Sequence, residues 1–203
     1  MYTLYFLPGA CSLATQAIRH ELGQAVELIH RQDADNYETL NPSGTVPVLL
    51  DQHSVLNEGV AILLYLLDKH DNHLISRDGE ARQRAIEDMM FANASVHPAY
   101  GRLFFIERHL THVEGRQQAF AAAAAAINNL WAAVETKLQG KRYLGGESPS
   151  PADFLLAVYS RWGQLFPVDI VIGPAARRMI DSVIARDSFQ EALQRESAYS
   201  TAA

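Results

Sequence analysis

The stretch Leu7-Pro8-Gly9-Ala10-Cys11-Ser12-Leu13-Ala14 joins two different periodicities, and its reading decides the fold. Ahead of it, Thr3 to Leu7 is a short apolar and aromatic run stopped by Pro8-Gly9, which predicts a strand. Behind it, from Ser12, the residues Ala14, Ile18 and Leu22 fall on one helical stripe, and Gly23 stands where a C-terminal cap belongs. Val26 to His30 then reads as a second strand. Strand, helix, strand is the unit that makes parallel sheets.

Working outward, a polar stretch around Asp33 to Asn36 leads to the turn signal Asn41-Pro42-Ser43-Gly44. Val46-Pro47-Val48-Leu49-Leu50 is a strand with a proline inside it. Asp51-Gln52-His53 reverses the chain into Val55-Leu56, giving a hairpin. Asn57 can cap a helix whose buried face carries Ala61, Leu64 and Leu67. The order β-α-β then β-β-α is that of a thioredoxin-like domain over residues 1–70, one topology among several that the pattern allows. His70 to Asp78 is polar and reads as a linker. From 78 to 203 every signal is helical: Ala81 to about His109, Gln117 to Leu138, Pro151 to Phe166, Ala175 to Arg186, and a short piece from Phe189. The alanines 121–126 are the strongest local helix former, and their small side chains suit a close helix crossing.

Composition narrows the function. With 48% hydrophobic and 20% charged residues, the 203-residue chain has the make-up of a globular protein. A formal charge of −6 and no basic run argue against a nucleic-acid surface. One cysteine cannot form an intrachain disulfide. The first residues lack the positive start of a signal peptide, and no apolar run reaches the roughly 18 residues of a membrane span. The expectation is a cytoplasmic protein with no membrane partner and no bound metal.

Four places carry chemistry. Cys11 sits at a strand-to-helix junction, where free N–H groups and the helix dipole stabilise a thiolate; a buried packing cysteine is the other reading. Ser12-Leu13-Ala14 lacks the second thiol of a C-x-x-C pair, so disulfide chemistry here must borrow its resolving thiol from a small molecule. A cis bond before Pro47 would leave the backbone of Val46 free to pair with an extended peptide; a trans proline on an edge strand is the alternative. Asn57-Glu58-Gly59 opens a helix whose amides suit a carboxylate while Glu58 suits an ammonium, although an ordinary acidic cap has the same sequence. Farther on, Ile86, Met90, Asn93 and His97 share a helical stripe that turns polar at its end, with Pro98 placed to kink it and free the carbonyl of Ala94. A histidine so placed is either an interior group or a catalyst.

Taken together, these segments resemble the cytosolic glutathione transferases, and specifically their bacterial beta class. The resemblance rests on residues 7–14, on Asn41 to Leu49, on Leu56-Asn57-Glu58-Gly59-Val60-Ala61-Ile62, and on the N-cap motif Ser150-Pro151-Ala152-Asp153. It implies an α/β thioredoxin-like N-terminal domain over 1–70 that binds glutathione, followed by an all-α C-terminal helical domain over 78–203 that contributes the electrophile site. It also implies a homodimer. By the same resemblance, Cys11 approaches or bonds the glutathione sulfur, and Val46 pairs with the cysteinyl part beside cis-Pro47. Glu58 and Gly59 hold the γ-glutamyl end, and His97 reaches the thiol region. Met90 falls where the beta class often has a thiol-side asparagine, and Asn93, one turn on, is the candidate substitute. Pro98 replaces a lysine and Gly59 a serine. Tyr100, Phe104, Phe105, Trp162 and Phe166 are the candidate walls of an electrophile pocket between the domains, and ordinary helix packing is the alternative reading.

Glutathione is thus the expected co-substrate, with a small electrophile or disulfide as its partner. A cysteine at the glutathione sulfur suits thiol–disulfide exchange or peroxide reduction beside conjugation. A non-catalytic interaction or regulatory protein on the same architecture is the competing class.

Overall fold

The computed structural model describes residues 1–111 and 113–200, the side chains of 113, 114 and 200 excepted. It divides into two compact units, Met1–Arg77 with the described part of Ile184–Ala203, and Asp78–Val183.

In the first unit, strands β1 (Tyr2–Phe6), β2 (Val26–His30), β3 (Val48–Asp51) and β4 (Ser54–Asn57) form one sheet in the order β2-β1-β3-β4. β1 and β2 are parallel, joined through helix α1 (Ser12–Glu21); β3 runs antiparallel to both β1 and β4. Period-two alternation sorts the β1 side chains. Leu4 and Phe6 are fully buried, as are Leu13, Ala17 and Ile18 of α1 and Ile62, Leu63 and Leu66 of helix α3 (Gly59–Lys69). Tyr5 joins a second cluster with Tyr37 and Val48, against which Ile29, Leu40 and Val46 pack. This is the thioredoxin-like arrangement expected from the pattern. A one-turn helix α2 (Tyr37–Leu40) lies between β2 and β3; four residues carry too little periodicity to have been read.

The second unit holds helices α4 (Gly79–Phe91), α5 (His97–His109), α6 (Val113–Lys137), α7 (Pro151–Ser160) and most of α8 (Pro174–Ile184). The single helix expected from Ala81 to His109 is divided by a π-helical turn, Ala92–Val96, with Pro98 in the first turn of α5. The widened turn accommodates a residue that cannot donate to the helix ladder. The helix expected over Pro151 to Phe166 ends at Ser160, followed by a 3-10 turn at Gly163–Leu165. At the head of α7 the expected capping box is present. Asp153, fully buried, accepts from the Ser150 amide at 2.7 Å and the Leu144 amide at 3.0 Å.

The last helix, α9 (Asp187–Ser200), packs on α1 within the first unit, whereas the sequence had placed everything after residue 78 in the helical domain. The ties are polar and specific. Arg186 makes a bidentate pair with Glu21, Arg19 reaches Glu191 at 3.0 Å, and Gln16 reaches Glu196 at 2.7 Å. None of these pairings has a signature in local periodicity.

Candidate active site

Leu7, Pro8, Gly9 and Ala10 form a tight turn between β1 and α1, closed by the Ala10 amide donating to the Leu7 carbonyl at 3.1 Å. Proline second and glycine third, the glycine at φ +74°, is the sequence pattern of a type II turn. The turn delivers Cys11 to the N-cap of α1. Its half-buried thiol donates to the Val46 carbonyl with Sγ 3.2 Å from the oxygen. Cys11 and Val46 lie far apart in sequence, so the fold has brought two of the predicted positions into contact.

The thiolate that a helix start can stabilise is not the favoured form of Cys11. Desolvation pushes the Cys11 thiol up to about 11; the Cys11 and Ser12 amides oppose that, and the charges of Glu58 and Glu196 reinforce it. A protonated sulfur agrees with the geometry, because only a thiol can donate to a carbonyl.

The loop before Val46 is built to hold it still. Asn41 accepts from the Ser43 amide at 3.2 Å in an Asx turn and donates to the Thr45 carbonyl at 2.9 Å. The Tyr37 hydroxyl donates to that same carbonyl at 2.6 Å, and burial pushes this phenol up to about 12, so it remains a donor. The Val46–Pro47 bond is cis, and Pro47 is buried. Sequence reasoning marked the Asn-Pro-Ser-Gly turn but missed Tyr37, whose partner is a backbone carbonyl without a side-chain signature.

At the head of α3 the structure corrects one detail. Asn57 ends β4 and donates to the Leu40 carbonyl at 3.2 Å, so it does not cap the helix. Glu58 is the N-cap, with an exposed side chain and a backbone at φ 69°, ψ 115°, a region that favours glycine. Its carboxylate has no hydrogen-bond donor among the described residues, and the first turn of α3 contains no acidic residue. Gly59 lies beside Pro47: a Cβ built on it would stand 3.8 Å from Pro47 Cγ. Cys11, Val46, Pro47, Glu58 and Gly59 therefore surround one region of the first unit.

In the second unit, Asn93 lies half-buried in the π turn and His97 half-buried at the head of α5. His97 stacks obliquely on Tyr159 and Trp162, with ring centroids 5.1 and 5.2 Å away. Tyr100 and Phe104 meet the same Trp162 edge-on, and Phe104 meets Phe166 at 4.8 Å. Four of the five candidate wall residues thus form one aromatic cluster with His97. Phe105 is not in it: 59% exposed, it packs beside His109 and lines a separate cleft with Ile106, Leu110 and Ala122. Trp162 and Tyr100 are themselves buried, with Trp131 Nε1 donating to the Tyr100 hydroxyl at 2.9 Å. Among the described residues no helix is long and apolar enough to cross a membrane.

Known proteins share this fold. Residues 14–74 match the family model "Glutathione S-transferase, N-terminal domain", and residues 94–187 match "Glutathione S-transferase, C-terminal domain". Glutathione S-transferase GST-4.5 of Xanthomonas campestris pv. campestris is 32% identical over 95% of this chain and 98% of its own. The solved glutathione S-transferase of Xylella fastidiosa superposes with a TM-score of 0.89 at 30% identity, over 97% of this chain and 99% of its own. The bacterial beta-class glutathione S-transferase of Sphingomonas chungbukensis does so at 0.82 and 31%, over 96% and 98%. The chain belongs to the glutathione S-transferase family of enzymes.

Proposed function

We propose that this enzyme is of the bacterial beta type and binds glutathione with its sulfur at Cys11. The observation that carries the reading is the 3.2 Å contact of the Cys11 thiol with the carbonyl of Val46, beside cis-Pro47. It joins the helix start that can meet a sulfur to the backbone that can pair with a peptide. In this reading residues 1–70 hold glutathione. Val46 pairs with the cysteinyl unit beside Pro47, Glu58 takes the ammonium, and the Gly59 amide takes the γ-glutamyl carboxylate. The helical unit Asp78–Val183 supplies the electrophile side, with Asn93 and His97 as its polar groups and Tyr100, Phe104, Trp162 and Phe166 as apolar walls. The likeness to the beta-class Sphingomonas enzyme supports the class.

Two reactions follow from one thiol. In conjugation the glutathione thiolate attacks the electrophile and its leaving group departs with the bonding pair. A protonated Cys11 then serves as a donor to the glutathione sulfur, which favours the thiolate form of the co-substrate. In thiol transfer, Cys11 loses its proton and attacks the glutathionyl sulfur of a mixed disulfide, releasing the other thiol. A second glutathione then attacks Cys11–S–S–G, and glutathione disulfide leaves as Cys11 recovers its proton. Peroxide reduction enters the same cycle: the peroxide oxidises Cys11 to a sulfenic acid and leaves as an alcohol, and glutathione condenses with the sulfenic acid, releasing water. The raised Cys11 thiol favours conjugation near neutral pH and thiol transfer as pH rises. The enzyme acts as a cytoplasmic homodimer in this proposal, and a light-scattering mass of one 22.5 kDa chain at micromolar concentration would contradict the dimer.

Retention on immobilised glutathione tests the binding. The protein should be held and then released by free glutathione, and passage through the column unretained would remove the reading.

A further inference from the structure

We propose that Glu196 is a positioning residue for Cys11: from the last helix it fixes the turn that presents the thiol and places a negative charge within reach of it. The inference rests on the reading of Cys11 above. Glu196 is 4% exposed and sits on α9. One carboxylate oxygen accepts from the Gly9 amide at 2.7 Å and the other from Gln16 Nε2 at 2.7 Å. Both oxygens thus accept short bonds from N–H donors, and the negative charge of Glu196 acts on Cys11. Gly9 is the third residue of the Leu7–Ala10 turn, whose amide points away from the turn's own hydrogen bond and needs an external acceptor. Glu196 is that acceptor. It therefore clamps the turn two residues before Cys11, and its second oxygen ties the clamp to α1, the helix that Cys11 caps.

The charge acts as well as the geometry. The groups facing the Cys11 sulfur are the Cys11 and Ser12 amides, the Val46 carbonyl, the Tyr37 phenol, Glu58 from the head of α3, and Glu196. Glu58 and Glu196 both favour the protonated thiol, Glu58 the more strongly; of the two only Glu196 is buried, where salt screens its field least. Burial is the main reason that the sulfur stays a hydrogen-bond donor, and the last helix adds to it while holding the turn in place.

Glu196→Gln separates charge from position. The Gln16 side-chain oxygen is buried without a partner. In the variant the Gln16 amide can turn that oxygen to the new NH2 group while the remaining carbonyl oxygen keeps Gly9. The charge goes and the clamp stays. The rate of Cys11 alkylation by iodoacetamide, followed from pH 7 to 11.5, reads the thiol directly and needs no glutathione. Its midpoint should fall in E196Q, with alkylation at pH 8 at least about threefold faster than in the wild type. Glu191→Gln, which loosens the Arg19 tie between the same two helices, should lower the melting temperature and leave the midpoint alone. Glu196→Ala should lose about tenfold or more in kcat/KM for glutathione, most of it restored in E196Q. An unmoved midpoint in folded E196Q overturns the proposal whatever becomes of E196A, and so does an equal shift in E191Q. A protein that fails to bind glutathione yet shows the E196Q shift refutes the functional reading and leaves this inference standing.

Discussion

Glu58→Gly should make the empty protein more stable and the enzyme worse at the same time. Glu58 is held at φ 69°, ψ 115°, where a side chain is strained, and its exposed carboxylate has no hydrogen-bond donor among the described residues. A non-glycine residue in such a region costs about 1–3 kcal/mol. Glycine removes that cost and adds about 0.5–1 kcal/mol of unfolded-state entropy. The net gain of roughly 0.5–2 kcal/mol corresponds to a rise of about 1–8 °C in the melting temperature of a domain of this size. Glutathione affinity should move the other way, by about 10- to 150-fold, because a hydrogen bond to a charged group is lost. Glu58→Ala is the control: it loses the same affinity but keeps the strain, so its melting temperature should stay within about 1 °C of the wild type. Differential scanning calorimetry of the three proteins, followed by titration calorimetry with glutathione, measures both quantities. A Glu58→Gly protein that melts at or below the wild-type temperature would show that the backbone is unstrained. Unchanged glutathione affinity in both variants would remove Glu58 from the site.

Other outcomes follow from the same geometry. With its thiol at about 11, Cys11 should be alkylated roughly 100-fold more slowly at pH 7.5 than an ordinary cysteine thiol, its rate climbing until the pH passes 11. The sign for stability is fixed by the raised value: the contribution is complete below the unfolded pKa near 9 and disappears as pH rises through 11, so urea unfolding of wild type against Cys11→Ser should diverge only in that window. Asp153→Ala leaves the Ser150 and Leu144 amides without their acceptor at the head of α7, and chemical unfolding should register a loss of about 2–6 kcal/mol; a loss under 1 kcal/mol would mean that water replaces the capping box. Gly59→Ser fits, since the new Cβ meets Pro47 no closer than 3.8 Å. Its hydroxyl should tighten glutathione binding about 2- to 10-fold, and weaker binding by calorimetry would contradict the placement of the γ-glutamyl group.

Where the sequence was legible, short-range physics set the structure. Pro8-Gly9 ends a strand and turns the chain whatever surrounds it, and Ser150-Pro151-Ala152-Asp153 caps a helix with its own side chains. The stripe of Ala14, Ile18 and Leu22 buried as its period required. Where it was not legible, the partners were distant or were backbone. Glu196 answers to the Gly9 amide and Tyr37 to the Thr45 carbonyl, and no residue type announces either. Asn57 looked like a helix cap because the strand-to-helix boundary is one residue later than its polar side chain suggested. Of the two readings open for Cys11, the stabilised thiolate came from the helix start, which is visible in sequence, whereas the desolvation that outweighs it depends on tertiary packing. Phe104 and Phe105 are adjacent in sequence, and only the phase of α5 in three dimensions sends one to Trp162 and the other to a separate cleft.

The central claim is that Cys11 meets the sulfur of glutathione, and intact-protein mass spectrometry after incubation with glutathione disulfide tests it most directly. At pH 9 the wild-type chain should gain the mass of one glutathionyl group, lose it on reduction, and yield the adduct on the peptide that contains Cys11, the only cysteine in the sequence. Excess S-methylglutathione, which fills the site but cannot exchange, should slow the gain, and Glu58→Ala should slow it at subsaturating disulfide. A chain that takes up no glutathionyl group under these conditions, or takes it up at the same rate with the blocker present and with Glu58 replaced, would contradict the account.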